Sequence, residues 1–166
     1  MDNDRRQRAL EEEAQREELL RLFHEILDME DKAIITEEFR DISNNDMHII
    51  EAIGIGEPRS MGAVARDLSV TVGTLTIAIN GLVKKFYVRR ERSQKDRRVV
   101  LISLLEKGER AYYHHKEYHE RMLSAALYGL NAEQRAGLIQ SVSNLDQFFR
   151  SCLEQRKEDT ANSKSS

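Results

Sequence analysis

The sequence predicts a mainly α-helical protein that carries one small β-hairpin. Three observations lead there. Apolar residues recur at three- and four-residue steps in most segments, with charged residues between them, as on one face of a helix. One run breaks that pattern: RRERSQKDRRVVLISL, residues 89–104, a dense basic stretch that turns at once into Val, Leu and Ile. The 166 residues include no Trp and one Pro, with 40% hydrophobic and 33% charged, which suits one domain or a tightly joined pair of subdomains.

Element by element, residues 1–8 are polar and expected to be flexible. Over 9–29, Leu19, Leu20, Leu22, Phe23, Ile26 and Leu27 have helical spacing. Residues 30–42 read as a loop. Ser43 or Asn44 caps a helix to about residue 53, with Met47, Ile50 and Ile53 on one side. GIGEPR, residues 54–59, is a break. Ser60 caps a short helix through residue 68, and Ser69 and Val70 form a tight connection. Residues 71–86 are rich in Thr, Val and Ile, which favour strands. Yet Val72, Leu75, Ile79, Leu82 and Phe86 step along one helix face, and a strand of this length would be unusual. The spacing therefore predicts a helix. Strands at 87–92 and 99–104 flank the polar tip SQKDRR. A helix over 106–127 follows. Gly129 breaks the chain, and NAEQ, residues 131–134, is a capping-box start. In the last helix Leu138, Val142, Leu145, Phe149 and Cys152 line one stripe. The polar tail 157–166 is expected to be disordered.

Charge is unevenly placed. Residues 84–98 carry net +6, whereas the whole chain is −3. A basic block on an acidic body brings one surface to a polyanion and leaves the rest repelled. Two helices joined by a tight turn and followed by a basic hairpin make a winged helix-turn-helix over 43–105. Such a helix enters the major groove of double-stranded DNA while the hairpin tip reaches a neighbouring minor groove. The face of the 71–86 helix away from its apolar stripe presents Gly73, Thr74, Thr76, Ile77, Asn80 and Lys84. Thr hydroxyls bond base edges or phosphates, Asn pairs with adenine in a bidentate way, and Gly allows close approach. Ser60, Thr71, Arg90, Arg92, Lys95, Arg97 and Arg98 complete the expected DNA contacts.

The run DRRVVLISLLEKG, residues 96–108, resembles the wing signature of MarR-type transcriptional regulators, in which Asp-x-Arg precedes an apolar strand and then Leu-Thr-x-x-Gly. The resemblance implies that Arg98 enters the minor groove, assisted by Arg97, while Asp96 braces the loop. Leu105 stands where the family usually has a capping Thr. Three segments resemble the branch of that family that represses bacterial fatty-acid synthesis genes: residues 39–50 (FRDISNNDMHII), 70–87 (VTVGTLTIAINGLVKKFY) and 92–100 (RSQKDRRVV). The resemblance implies a homodimer, built from helices within 9–42 and 106–156, on an inverted-repeat operator. It also implies an acyl chain on acyl carrier protein as corepressor. Candidate acyl-pocket residues are Phe23, Ile26, Phe39, Ile42, Met47 and Ile50; candidate carrier-protein contacts are Arg40, Lys116 and Arg121.

Other features point elsewhere or nowhere. His115 and His119 share a helix face, but two imidazoles do not complete a metal site. Glu30 and His48 would make a four-ligand set if the fold gathers them, and some MarR-type zinc sensors place ligands on comparable helices. No metal or other cofactor is otherwise expected. Cys152, the single cysteine, excludes an internal disulfide, lies on an apolar stripe and fits a reducing cytoplasm. No run approaches the length of a membrane span, and the N-terminus is too polar for a secretory signal. No nucleophile–base set, phosphate loop or carboxylate pair suggests an enzyme. A helical interaction module with a basic hairpin is the remaining alternative class.

Overall fold

The computed structural model describes residues 2–163, except for the side chains of 2–4, 31 and 157–163. The order is α1 (Asp2–Ala33), a 3-10 turn (Glu37–Phe39), α2 (Asn44–Ile53), β1 (Arg59–Ser60), α3 (Met61–Asp67), α4 (Val72–Lys84), β2 (Val88–Arg92), β3 (Val100–Leu104), α5 (Glu106–Leu127) and α6 (Ala132–Ser163). The fold is mainly helical with one small antiparallel sheet, of strand order β1-β3-β2.

Local chemistry starts the helices. Ser43 Oγ accepts from the Asp46 N–H and Asp46 accepts from the Ser43 N–H, so α2 opens on a capping box. Ser60 accepts from the Ala63 N–H ahead of α3, and Thr71 from the Thr74 N–H ahead of α4. Helix ends are made by the backbone. After α3, Ser69 takes the left-handed conformation (φ 55°), its N–H donates to Arg66 and that of Val70 to Ala65. After α4, Phe86 does the same (φ 64°), with N–H bonds from Phe86 to Val83 and from Tyr87 to Leu82. Both are Schellman endings, which satisfy the last carbonyls of a helix. α3 and α4 bend by 108°, within the range of a helix-turn-helix.

The expected stripe on α4 is shortened by its own ending. Leu75, Ile79 and Leu82 are buried, but Val72 is 49% and Phe86 72% exposed. Phe86 lies past the helix, where positive φ turns its side chain away from the row. β1 takes the last residue of the stretch read as a break and the Ser60 cap; it pairs Arg59 with Ile102 and Ser60 with Leu101. β2 and β3 pair from Val88↔Leu104 to Arg92↔Val100. Only Val88 of β2 is buried, so the hairpin is anchored at its base. Arg59 donates to Ala52 O at 2.5 Å and to Asp67 at 2.6 Å, tying α2 to the end of α3.

Tyr87 joins these parts. Its side chain is 0% exposed, and its hydroxyl donates to Asp41 Oδ1 at 2.7 Å. Lys107 Nζ sits 4.2 Å from the ring centroid and bonds Asp41 Oδ2 at 2.8 Å. Burial pushes the tyrosine hydroxyl up, and the Asp41 charge adds to that shift. Burial also acts to raise Asp41, but the bonds from Lys107 and Tyr87 outweigh it and hold the carboxyl below its usual range. The Tyr87 carbonyl accepts from the Leu105 N–H at 2.9 Å. Leu105 lacks a capping hydroxyl, and this backbone bond together with Glu106 and Glu109 in the first turn supports the start of α5. α5 crosses Tyr87 so closely that a Cβ at Gly108 would collide with its carbonyl oxygen.

The chain divides into two compact units between His119 and Glu120, within α5. In the first, a core from α2, α3, α4, the sheet and the start of α5 includes Phe39, Met47, Ile50, Ile79 and Ile102. In the second, Gly129 (φ 74°) separates the helices and Asn131 and Gln134 close a capping box. Helix extends further than expected at both ends of the chain. Residues 2–8 and 30–33 belong to α1, and 157–163 to α6. Arg5, Arg6, Gln7 and Arg8 are good or adequate helix formers and continue α1 toward the N-terminus. Met1 and residues 164–166 of those expected termini lie outside the described residues. Among the described residues no single helix is long and apolar enough to cross a membrane.

Among the described residues His115 is the one fully buried histidine, 0% exposed, and its Nδ1 has no hydrogen-bond partner. Burial pushes its pKa down to about 4; the Glu51 charge opposes this, and His119, His48 and His114 add to it. A folded pKa below the unfolded one means that the unfolded chain takes the proton first. Stability should therefore be complete above about pH 6.5 and fall as pH drops toward 4, by on the order of 2–3 kcal/mol. Urea unfolding across that window checks this, and His115→Phe should flatten the slope. Gly108→Ala should cost roughly 2–3 kcal/mol in the same assay, because the backbone of Tyr87 cannot move aside without displacing β2.

Candidate nucleic-acid interface

Three buried residues, Leu75, Ile79 and Leu82, hold α4 to the core, and this fixes which face is presented. Gly73, Thr74, Ile77, Asn80 and Lys84 are exposed and Thr76 is half-buried. The threonines have less to offer than their residue type suggests. Thr76 Oγ1 donates back to Val72 O at 2.7 Å, and Thr71 and Thr74 share a hydroxyl contact at 2.9 Å. Thr71 and Ser60 also serve as helix caps. Ile77 is 77% exposed at the centre of this face, a large apolar side chain set in water. Asn80 is not isolated: its Oδ1 accepts from Arg90 Nη1 at 2.9 Å.

The wing tip is held by its own side chains. Ser93 Oγ accepts from the N–H groups of Lys95 and Asp96. Asp96 Oδ1 accepts from the Arg98 N–H at 3.0 Å, and the Ser93 N–H donates to Val99 O across the base of the loop. Arg98 itself is 94% exposed, with its Nε 3.5 Å from Asp96. Arg92, Lys95 and Arg97 are exposed beside it. A short, braced loop with protruding guanidinium groups places positive charge at a defined point, which suits a phosphate-lined groove. An open groove of about 610 Å³ brings Ser60, Val72, Thr76, Arg90, Arg92 and Arg98 together from α3, α4 and the hairpin. The surface thus combines the exposed face of α4 with cations on the wing.

The remaining candidates are distributed differently. Phe39, Ile42, Met47 and Ile50 are packed in the core, whereas Phe23 and Ile26 are exposed on α1. Arg40 is exposed and bonds Glu37; Lys116 and Arg121 are exposed on α5. His48, Glu51 and His115 have donor atoms within 4.8 Å of one another. His119 Nε2 lies 3.2 Å from His115 Nε2. The acid in this group is Glu51 rather than Glu30, because Glu51 lies one turn beyond His48 on α2 and approaches His115 Nδ1 to 3.4 Å. The Nδ1 of the buried His115, which makes no hydrogen bond, fits a metal donor. Cys152 is half-buried on α6.

Comparison with known proteins places this arrangement. A model of the MarR family matches residues 40–99, which contain the helix-turn-helix and most of the hairpin. A regulator of Bacillus subtilis (strain 168), the uncharacterised HTH-type transcriptional regulator YpoP, is 28% identical over 107 residues, 64% of this chain and 76% of that protein. The crystal structure of Streptococcus pneumoniae FabT in complex with DNA is 34% identical, with a TM-score of 0.73, and the match covers 82% of this chain and 95% of that one. A mutant MarR of E. coli complexed with operator DNA shares the fold at 23% identity and a TM-score of 0.58, covering 76% of this chain and 92% of that one. At 34% identity over 95% of the length of S. pneumoniae FabT, this chain belongs to the MarR family of transcriptional regulators and is not an enzyme.

Proposed function

We propose that this protein represses fatty-acid biosynthesis genes, binding an inverted-repeat operator as a homodimer, with acyl chains on acyl carrier protein as corepressor. One observation carries the reading. Two of the three segments that resemble the fatty-acid branch of the family, α4 and the wing, are presented outward, and identity to S. pneumoniae FabT is 34%. The dimer is supported by apolar surface that a single chain leaves in water. On α1, Leu19, Leu20, Phe23, Ile26 and Leu27 are exposed; on α6, Ile139, Val142, Phe148, Phe149 and Leu153 are. Helix faces of this kind call for a partner, and a two-fold pair matches a two-fold operator.

A corepressor acts only by preferring the DNA-competent state. An acyl chain lying against the exposed Phe23 and Ile26 would stabilise one separation of the two recognition helices. Reaching Phe39, Ile42, Met47 or Ile50 would require core contacts to open. Acyl carrier protein is acidic, and Arg40, Lys116 and Arg121 are exposed cations away from α4 and the wing in sequence.

The grouping of His48, Glu51 and His115 favours a second reading, a zinc-responsive regulator, with His119 as a further donor. Bound zinc would cross-link α2 to α5. One titration separates the two. A labelled inverted-repeat duplex is measured with holo carrier protein, acylated carrier protein, zinc and chelator. The fatty-acid reading expects acylated carrier protein alone to tighten the complex, about tenfold, which is about 1.4 kcal/mol of coupling. Tightening by zinc alone, abolished in His115→Ala, would replace it with the metal reading.

A further inference from the structure

Asn80 is the residue of α4 best suited to read a base, because its amide offers both a donor and an acceptor. In this structure the acceptor end is engaged. Arg90 Nη1 donates to Asn80 Oδ1 at 2.9 Å across ten residues of sequence. A guanidinium has donors only, so the amide faces it with its oxygen and cannot flip to present nitrogen. Both residues are exposed, so burial does not force the pair together. What holds Arg90 in place is the backbone. It pairs with Ile102 in the sheet, and β2 is joined to the end of α4 through the Tyr87 N–H to Leu82 O bond.

A bidentate match to adenine needs Asn Oδ1 to accept from N6–H while Nδ2 donates to N7. Asn80 Oδ1 keeps a second lone pair, but an N6–H that reached it would lie beside the Arg90 guanidinium, itself a cationic donor, with no acceptor for the pair to share. Guanine presents two acceptors, N7 and O6, along the same edge. The free Nδ2 protons of Asn80 and the remaining N–H groups of Arg90 are all donors. We propose that Arg90 is a positioning residue that holds Asn80 as a hydrogen-bond donor, so that α4 reads guanine, not adenine, at the base pair Asn80 meets. This rests on the reading of α4 as the DNA-reading helix. It also gives the wing strand a part in sequence choice, beyond contributing charge to the backbone contacts.

The test is selection from a random duplex library with the full-length protein, followed by competition between single-base variants of the selected site. Asn80→Ala marks the position by flattening preference there. Wild type should favour guanine over adenine at that position by roughly tenfold. Arg90→Ala should move that ratio toward adenine by a similar factor while preferences elsewhere in the site stay unchanged. Arg90→Lys, which also donates, should restore part of the guanine preference. A wild-type preference for adenine there would overturn the proposal. So would an Arg90→Ala variant that loses affinity uniformly with the ratio unchanged, which would mark Arg90 as a phosphate contact only. If wild type enriched no sequence at all, the DNA-reading assignment of α4 would fall together with it.

Discussion

The buried Tyr87 side chain is the contact on which the reading surface depends. Its backbone N–H closes α4, and its carbonyl receives the first N–H ahead of α5. Its hydroxyl reaches Asp41, just before α2, and Lys107 on α5 closes the same carboxylate from the other side. α4, the wing strand, the segment before α2 and α5 therefore share one residue. Fully burying an aromatic side chain contributes roughly 2–3 kcal/mol by area alone, but its structural effect here is angular. Moving it would change the direction in which β2 leaves α4. Gly108 belongs to the same joint: its missing side chain lets α5 pass the Tyr87 carbonyl.

Around that joint the arginines divide into two kinds. Arg98 projects into solvent from a loop braced by Asp96 and Ser93, so its charge is available to a phosphate backbone. Arg90 is committed to a neighbouring side chain, and Arg59 to the carbonyl of Ala52 and the carboxylate of Asp67. Counting positive charge along residues 84–98 cannot distinguish these roles. The same holds for the hydroxyls. Thr71 and Ser60 satisfy helix starts, and Thr76 donates back into its own helix, so Ile77 and Asn80 form the centre of the outward face of α4.

Local signals in the sequence translated directly. The caps at Ser43 and Ser60, the capping box at Asn131, and the buried row Leu75, Ile79 and Leu82 depend on neighbours within four residues. Features set by distant partners were not legible. Tyr87 meets Asp41 across 46 residues, and Lys107 meets the same carboxylate across 66. A two-residue strand such as β1 is too short to show alternation. The outward turn of Phe86 follows from a positive φ that Phe rarely adopts, so spacing alone assigned it to the core. Glu51, not Glu30, approaches His115 because α2 packs its histidine-bearing face near α5, a tertiary fact.

We propose that α4 and the wing form one surface whose affinity for duplex DNA comes largely from the wing cations. The most direct test is the salt dependence of binding to a selected operator, between roughly 50 and 200 mM, for wild type and for Arg97→Gln with Arg98→Gln. Log K should fall steeply and linearly with log salt, less steeply in the double variant by about 0.9 for each phosphate that it no longer neutralises. Binding that ignores salt, or an identical slope in both proteins, would contradict it.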